Sequence, residues 1–308
     1  MRSQLSGVLT IDKPAGQSSA KTVAVVKKLL GVAKVGHSGT LDPFATGVLV
    51  CCINQATRLA RFFLRSRKSY TAVLRLGEQT DTQDATGQVV ATSSVPQLQP
   101  DRLVDLFKQF EGQTMQQPPV YSALKHKGTP LYKLARNGTP IQKPPRRVTI
   151  SSLRITDVRL PDIEFDVTCS AGTYVRTLCA DIGERIGCGG HLLSLRRTAS
   201  GGFSLAGAVA LETLEAIDGT AQRLNLLTPM ADALYDMRQV EANPDLLRRI
   251  AHGRPLTAAH VPQESINKNT APAACCGYVK VVDAGNELKA VIEYIPDKTA
   301  YDYCCVFH

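Results

Sequence analysis

One loop of the sequence sets a carboxylate among residues too small to shield it. The loop reads GHSGTLDPFATG at 36–47, and its three glycines remove side-chain bulk around Asp42. His37 and Thr40 add polar groups beside this carboxylate. Such a loop would let a flat, bulky ligand approach Asp42 closely, and function is often carried on loops of this kind. The structural alternative is a plain turn, which an Asp-Pro pair commonly starts.

A carboxylate buried in such a loop needs a cation to stay ionised, because burial favours the protonated form. The segment GTYVRTLCADIG supplies Arg176 in the first turn of a predicted helix. A neighbouring arginine lowers the pKa of a carboxyl group by about 1–3 units. The sequence by itself does not bring Asp42 and Arg176 together, so this pairing depends on the fold.

Several common reaction types lack their motifs in this sequence. There is no G-x-x-x-x-G-K-[ST] phosphate loop, no G-x-G-x-x-G after a strand and no H-E-x-x-H. GHSG differs from the G-x-S-x-G of hydrolases, and DTQDATG lacks the alternating ligands of a calcium loop. We therefore expect a reaction that needs no nucleotide, dinucleotide or other tightly bound cofactor, and no metal.

The composition is that of a folded, basic protein. Hydrophobic residues make up 44% of the chain and charged residues 20%, which excludes global disorder. Lysine and arginine number 36 against 27 aspartates and glutamates, a formal charge of +9. Such an excess favours a polyanionic partner, with general solubility as the alternative.

Neither export nor metal binding is indicated by the sequence. No apolar run approaches the roughly 18 residues of a membrane helix, and the first residues lack the apolar core of a signal peptide. Six of the 9 cysteines form adjacent pairs, without the C-x-x-C spacing of zinc sites. We expect reduced thiols, no membrane association and a cytoplasmic location.

Periodicity, capping residues and glycines predict a chain that mixes strands and helices. Strands are predicted at 7–11, 48–53, 70–76, 149–158 and 163–169. Helices are predicted from Ser18 or Ser19 to Leu30, over 55–66 behind a cap at Asn54, behind a cap at Asp101, and over 173–186. The glycine-rich, basic residues 189–204 are predicted to form a loop, and residues 113–148 a long insertion standing out from the core. A composition shift near 236–244 precedes a hairpin at 278–283 and 288–295.

Taken together, the motifs resemble those of pseudouridine synthases of the TruB type. GHSGTLDPFATGVL resembles the family's catalytic-aspartate motif. The other matching motifs are DKPAGQSS at 12–19, KSYTAVLRLGEQTDTQDATG at 68–87, PPVYSALKHKGTPLYKLARNG at 118–138, GTYVRTLCADIG and HLLSLRRTASGGF. They stand in the family's order and cover about residues 7–230. These enzymes convert one uridine in the T-arm loop of tRNA, conventionally position 55, into pseudouridine.

The resemblance implies an α+β fold with two units. Residues 1–238 would form the pseudouridine synthase domain, with a mixed, mainly antiparallel sheet, flanking helices and an RNA-gripping insertion at about 113–148. Residues 239–308 would form a small, β-rich, PUA-like C-terminal domain. We expect a monomer.

The resemblance also assigns roles to individual residues. Asp42 matches the aspartate that attacks the target nucleotide, and Arg176 matches the arginine that pairs with it. Tyr70 matches the tyrosine that packs on the target base and is proposed to help remove its C5 proton. An ordinary core tyrosine and a structural ion pair are the alternatives for Tyr70 and Arg176. The expected substrate-binding residues are His37 beside the flipped-out base, Lys13 and Pro14 on the floor of the site, and Tyr174 and Leu195 near the base.

The chemistry fits the missing cofactor motifs. Uridine isomerisation breaks the N1–C1′ bond, forms a C5–C1′ bond and removes the C5 proton, so no atoms are gained or lost. A carboxylate nucleophile can attack and leave again, which splits one difficult step into easier ones. The sequence leaves open whether Asp42 attacks C1′, attacks C6 or assists proton removal at C2′.

Basic residues form a track suited to the phosphates of a folded RNA. The expected RNA-binding residues are Arg58, Lys125, Arg136, Lys143, Arg146, Arg147 and Arg196, and the same track includes Lys68 and Arg197. The expected partner is the T-arm stem-loop of tRNA, without a guide RNA, because guide-dependent synthases lack the insertion that 113–148 resembles. A guide-dependent synthase, a tRNA-folding chaperone with dispensable catalysis and a ribosomal or mRNA-binding module are the alternatives.

Overall fold

The computed structural model describes residues 5–261 and 277–307, which form a ten-stranded and a five-stranded β-sheet, two two-stranded sheets (Glu78–Thr80 with Val89–Thr92, and Lys125–His126 with Thr129–Pro130) and the surrounding helices. The strands are β1 (Gly7–Lys13), β2 (Val35–His37), β3 (Thr46–Ile53), β4 (Lys68–Leu76), β5 (Glu78–Thr80), β6 (Val89–Thr92), β7 (Gly112–Gln116), β8 (Lys125–His126), β9 (Thr129–Pro130), β10 (Arg146–Arg159), β11 (Asp162–Cys169), β12 (Gly190–Ser200), β13 (Phe203–Ser204), β14 (Val209–Ala210), β15 (Arg238–Glu241), β16 (Leu256–Thr257), β17 (Tyr278–Val282), β18 (Leu288–Ile295) and β19 (Ala300–Val306). The helices are α1 (Ser19–Leu30), α2 (Ala60–Leu64), α3 (Pro100–Lys108), α4 (Leu131–Arg136), α5 (Val175–Ile186), α6 (Leu211–Ala216), α7 (Thr220–Leu224), α8 (Met230–Ala233) and α9 (Pro244–Ala251). Among these residues no helix is both long and apolar enough to cross a membrane.

The large sheet has ten strands and is mixed, mainly antiparallel. Its order is β14-β1-β3-β12-β4-β11-β10-β7, with β13 beside β12 and β2 beside β3. The parallel pairs are β1 with β14 and β3 with β12. Helices α3 and α5 cover β4, β11 and β12 over one core, while α1 covers β1 and β3 over another. The predicted α+β class and mixed sheet are confirmed.

Helix α1 begins and ends where its capping residues predict. The Ser18 side chain accepts a hydrogen bond from the Lys21 N–H, and Gly31 closes the helix with φ 60°. A left-handed conformation of this kind costs glycine nothing, since glycine has no Cβ. The helix predicted from Ser18 or Ser19 to Leu30 is therefore confirmed, with Ser18 as its cap.

The predicted loop at 189–204 is wrong. Residues 190–200 form β12, which lies between β3 and β4 near the centre of the large sheet. The two adjacent arginines made this segment look solvent-exposed. In the structure Arg196 pairs with Asp12, and Arg197 is buried and hydrogen-bonded, so both fit within a strand.

Two predicted helix caps are also wrong. Asn54 starts a 3-10 helix (Asn54–Leu59), and its side chain instead accepts from the Lys34 N–H and donates to the Leu5 carbonyl. Gln99 is the N-cap of α3, because Pro100 occupies the first helical position and moves Asp101 into the first turn.

Residues 113–148 are only partly separate from the large sheet. Strand β7 forms the sheet's edge by pairing with β10, whereas the hairpin of β8 and β9 and helix α4 lie outside the large sheet's strand order. Leu131 and Ala135 give α4 a buried face. The segment therefore carries a small folded element and not only irregular chain.

A second sheet begins at Arg238, with the order β15-β17-β18-β19-β16. The predicted hairpin is confirmed as β17 and β18. This curled sheet is consistent with the PUA-like domain that the resemblance implies. Its Leu288 and Phe307 pack against Val8 and Phe63 of the first unit in one shared cluster. The cysteine pair at 275–276 lies outside the described residues, and the cysteines within them are free thiols.

Candidate active site

Asp42 lies on the loop of residues 38–45, hereafter the Asp42 loop, which joins β2 to β3. The hydroxyl of Ser19, at the start of α1, accepts from the Leu41 N–H at 2.8 Å and donates to the Leu41 carbonyl at 3.0 Å. Both bonds are buried, so exchange with water does not weaken them. Helix α1 thereby fixes the loop one residue before the carboxylate.

Lys13 holds the other side of the same loop. Its ammonium donates to the carbonyls of Pro14 and Gln17 at 2.7 Å each and to that of Pro43 at 3.3 Å. Burial lowers the pKa of Lys13 to about 8, and the charge of Asp42 opposes this shift. Lys13 thus places a cation near Asp42 while anchoring the next residue, and Pro14 contributes its carbonyl to that anchor.

Arg176 bridges two carboxylates at the floor of the site. Its Nε lies 3.1 Å from Asp42 Oδ2, and its Nη1 lies 3.1 Å from Asp84 Oδ2. The guanidinium also donates to the carbonyls of Thr82 and Tyr121, and its side chain is only 5% exposed. The fold brings Asp42 and Arg176 together, which the sequence by itself could not do.

The groups around Asp42 shift its pKa in opposite directions. Burial raises the pKa of Asp42, Arg176 and Lys13 lower it, and Asp84 raises it. The net direction is upward from the ordinary value, with burial as the largest cause. The Asp42 side chain is nevertheless 36% exposed, whereas that of Asp84 is 4% exposed. Only Asp42 is therefore open to a substrate.

Asp84 is the residue of this network that the sequence analysis did not single out. Its Oδ1 accepts from the Thr82 hydroxyl at 2.8 Å, the Thr86 N–H at 2.9 Å and the Thr86 hydroxyl at 2.6 Å. These bonds close the polar turn after β4 and leave Oδ2 free for Arg176. The available signal was the spacing Thr-x-Asp-x-Thr, in which one carboxylate can gather two hydroxyls.

A cavity of about 220 Å³ opens beside Asp42. At roughly 30 Å³ per water molecule it has the volume of about seven waters, enough for a single pyrimidine ring. Its lining includes Asp42, Tyr70, Tyr174, Arg176 and Leu195. The structure therefore brings these five sequence-predicted residues to one place.

Tyr70 and Tyr174 both line the cavity and are held by different elements. Tyr70 lies on β4 directly across from Arg197 of β12, whose positive charge acts on the Tyr70 phenol. Burial raises the pKa of Tyr70, and Arg197 opposes that rise, so the phenol keeps its proton at neutral pH. Tyr174 exchanges two hydrogen bonds with Gln116, at 2.8 and 3.0 Å, just before α5 begins.

His37 stands somewhat apart from these groups. It is the last residue of β2, pairs with Cys51 of β3 and is half-buried. Its Nδ1 is buried without a hydrogen-bond partner among the described residues. Burial and the charge of Arg197 lower the pKa of His37, which keeps the ring neutral. The described lining of the cavity does not include His37.

Comparison with known proteins identifies the family. A model described as TruB family pseudouridylate synthase (N terminal domain) matches residues 27–175. One described as tRNA pseudouridylate synthase B C-terminal domain matches residues 176–235. The tRNA pseudouridine synthase B of Syntrophotalea carbinolica is 46% identical over 82% of this chain and 83% of its own length. The chain belongs to the TruB family of pseudouridylate synthases.

Other TruB relatives and solved structures extend the match to almost the whole chain. The tRNA pseudouridine synthase B of Chromohalobacter salexigens is 40% identical over 91% of this chain and 92% of its own. A crystal structure of a Cbf5-Nop10-Gar1 complex has a TM-score of 0.73 at 25% identity, covering 98% of this chain and 85% of the matched chain. An archaeal box H/ACA Nop10-Cbf5 complex gives 0.72 at 24% identity, with 98% and 86% covered. The predicted family and fold are confirmed.

The insertion of this TruB chain carries several exposed basic residues. Lys125, Arg136 and Arg147 are exposed and make no ion pair within residues 5–261 and 277–307, and we call these three the insertion cations. Lys143 is half-buried, with its Nζ 3.3 Å from His126 Nδ1. Free charges in this position suit phosphate contacts, because no carboxylate has to be displaced.

Three other predicted RNA-binding arginines already have partners. Arg146 lies at the cavity rim, donates to the Gly172 carbonyl and stacks over the Tyr174 ring at 4.9 Å. Arg196 forms a two-point pair with Asp12 at 2.6 and 3.1 Å. Arg58 donates to the Val306 carbonyl and lies 5.0 Å from the centroid of the Phe307 ring. Arg58 thus connects the 3-10 helix after β3 to the end of β19.

Lys68 and Arg197 do not belong to the solvated basic track. Lys68 is 6% exposed and donates to the carbonyls of Phe63, Leu64 and Ser66. Arg197 is 1% exposed. Both cations lie in the cavity wall and donate to main-chain carbonyls there, so neither belongs to a solvent-facing basic track. Within the described residues no three His, Cys, Asp or Glu side chains meet to hold a metal ion.

Proposed function

We propose that this protein isomerises uridine 55 in the T-arm loop of tRNA to pseudouridine, with Asp42 as the nucleophile. One observation carries the proposal: in a chain of the TruB family, the partly exposed carboxylate of Asp42 is paired with Arg176 and opens into a cavity lined by Tyr70. The curated relatives that support a tRNA substrate are named tRNA pseudouridine synthase B.

The nucleophile would be ionised and fixed before the substrate arrives. Arg176 shares its charge between Asp42 and Asp84, so it orients Asp42 without fully neutralising it. Lys13 and Ser19 hold the residues on either side of Asp42. Groups that need not reorganise during the reaction stabilise a transition state more effectively than mobile ones. The proposal does not choose between attack of Asp42 on C1′, attack on C6 and assistance to proton removal at C2′.

The detached base would be retained by flat and apolar surfaces. Tyr70 supplies an aromatic face and a protonated phenol, and Leu195 and Tyr174 supply further apolar surface. The base must turn so that C5 replaces N1 opposite C1′, which requires that it be held without being locked. His37 would act on the flipped-out nucleotide from outside the cavity lining.

The RNA would be bound through the insertion and without a guide. The insertion cations face solvent, and the carbonyl of Tyr121 on the same insertion contacts Arg176. Phosphate binding by this segment would therefore be linked directly to the catalytic floor. We place catalysis on residues 1–238, with 239–308 as a PUA-like unit. A tRNA substrate also favours the cytoplasmic location that the sequence predicts.

A transcript of the T-arm stem-loop tests the proposal. Purified protein is incubated with the transcript alone, without guide RNA, metal or cofactor, and pseudouridine is measured at each uridine. We expect conversion at the position equivalent to 55 and at no other position of the loop. Binding without product would contradict the enzymatic proposal and favour a chaperone. Product that appears only when a guide RNA is added would favour a guide-dependent synthase.

A further inference from the structure

A buried arginine in the cavity wall makes no ion pair with any carboxylate in the described part of the chain. Arg197 is among the largest side chains that are fully buried, at 1% exposure. Its Nε donates to the Val48 carbonyl at 2.6 Å, and an Nη donates to the Gly39 carbonyl at 3.1 Å. Burial of a cation is unfavourable unless its hydrogen bonds compensate. The contacts of Arg197 are therefore the reason it can remain there.

Two of these contacts fix the Asp42 loop at both ends. Gly39 lies near the start of the loop and Val48 lies just after it, on β3. Gly47 is paired in register with Arg197, and a Cβ at Gly47 would lie 2.2 Å from the Arg197 carbonyl. Gly47 has φ 100°, a conformation that favours glycine. This approach lets β12 run close enough for the Arg197 side chain to reach under the loop.

Arg197 also lies beside Tyr70, its partner in register across β12 and β4, and both line the cavity. A guanidinium is positively charged and carries only donors, so the Tyr70 oxygen presents its lone pairs to Arg197. The phenolic hydrogen is then free for a different acceptor. Tyr70 and Arg197 both line the cavity, so that acceptor can be a substrate atom placed there.

We propose that Arg197 is a positioning residue for the reaction, which holds Tyr70 as a hydrogen donor toward the cavity and fixes both ends of the Asp42 loop. The charge of Arg197 also lowers the pKa values of Lys13, His37 and Lys68, so one buried cation influences the whole site. The inference rests on the proposed function only in taking Asp42 and Tyr70 to act on the target uridine.

The test compares the parent protein with Arg197→Lys and Arg197→Met on the T-arm transcript. Arg197→Lys keeps the charge but loses the planar fork that reaches the carbonyls of both Val48 and Gly39. We expect kcat to fall by about 100-fold, since misplacement by ~1 Å can cost that much. We expect KM for the RNA to stay within about threefold, because Arg197 is buried away from phosphates. An unchanged kcat, or a loss confined to KM, would overturn the inference.

A double-variant cycle shows whether Arg197 acts through Tyr70. If it does, Arg197→Lys should have a smaller effect on kcat in the Tyr70→Phe background, because the phenol oxygen is then absent. We expect the fold-loss in kcat caused by Arg197→Lys in that background to be at least about tenfold smaller than the fold-loss it causes in the parent. Losses that simply multiply would contradict the link. The cycle does not require Arg197→Met to fold, because it uses only the charge-retaining variant.

Arg75→Lys is the matched control. Arg75 lies on the same strand as Tyr70 but pairs with Asp162, and its side chain is 34% exposed. We expect its kcat to be unchanged. A parent protein that forms no pseudouridine overturns the proposed function itself. An active parent with no loss in the Arg197 variants overturns only the positioning role.

Discussion

Replacing Asp84 by Asn would remove one of the two carboxylates that Arg176 holds while preserving the shape of the side chain. The oxygen of the introduced amide can still accept from Thr82 and Thr86, so the turn after β4 should survive. The nitrogen of that amide would face Arg176 Nη1, and two donors cannot hydrogen-bond each other. The substitution thus isolates the bond between Asp84 and Arg176.

The expected loss of stability follows from burial. Both side chains are about 5% exposed or less, so little solvent screening applies. Removal of one partner from a buried ion pair typically costs about 3–5 kcal/mol. Arg176 keeps its bonds to Asp42 and to two carbonyls, which places the expected decrease in the free energy of unfolding at the lower end, about 3 kcal/mol.

The expected effect on catalysis has two parts. Arg176 can tilt toward Asp42, and a displacement of ~1 Å would reduce kcat by about 100-fold. The charge of Asp84 raises the pKa of Asp42, so its removal should lower that pKa and move the acid limb of the pH–rate profile to lower pH. Binding of the RNA should change little, because Asp84 is buried.

The measurements are denaturant unfolding, single-turnover pseudouridine formation across pH, and RNA affinity. Asp162→Asn is the control, since its partner Arg75 is partly exposed and such pairs contribute about 0–1 kcal/mol. If Asp84→Asn unfolds and turns over like the Asp162→Asn control, the bridging role of Arg176 is refuted. An acid limb that moves to higher pH would refute the electrostatic argument.

Two further perturbations address the cations around the site. Because the pKa of Lys13 is lowered to about 8, its charge beside Asp42 is present below that pH and lost above it. Turnover should therefore fall as pH rises through about 8. This alkaline fall in turnover should vanish in Lys13→Met and persist in Lys68→Met, although the pKa of Lys68 is also about 8. If Lys13→Met retains the alkaline fall, a group other than Lys13 causes it. Replacing all three insertion cations by Ala should weaken RNA binding and reduce the slope of log K against log salt by about 2, at ~0.7–0.9 per phosphate contact; an unchanged slope would mean that the insertion does not contact phosphates.

The sequence predicted those parts of the structure that depend on local pattern. Helix α1 was set by Ser18, Gly31 and an apolar stripe, and the late hairpin by alternation around a turn. The loop predicted at 189–204 was wrong because the environment of β12 is not local. Asp12, Gly39 and Val48, which bind its two arginines, lie far away along the chain.

The residues of the site that belong to a recognisable motif were predictable from the sequence. Those whose role depends on three-dimensional contacts were not. The resemblance led to Asp42, Tyr70 and Arg176, and the fold gathers them around one cavity. It did not lead to Asp84 or to the role of Arg197, since their significance lies in which atoms they touch. It also treated buried and exposed basic residues alike, because a sequence shows charge without showing burial.

The substitution Asp42→Asn tests whether Asp42 is the nucleophile. The T-arm transcript is incubated with an excess of the parent or the variant, and pseudouridine and RNA affinity are measured in the same samples. We expect no detectable product from Asp42→Asn, with RNA affinity within a few-fold of the parent, since an amide of the same shape cannot act as the nucleophile. Product formed by Asp42→Asn at a rate near that of the parent would show that Asp42 is not the nucleophile.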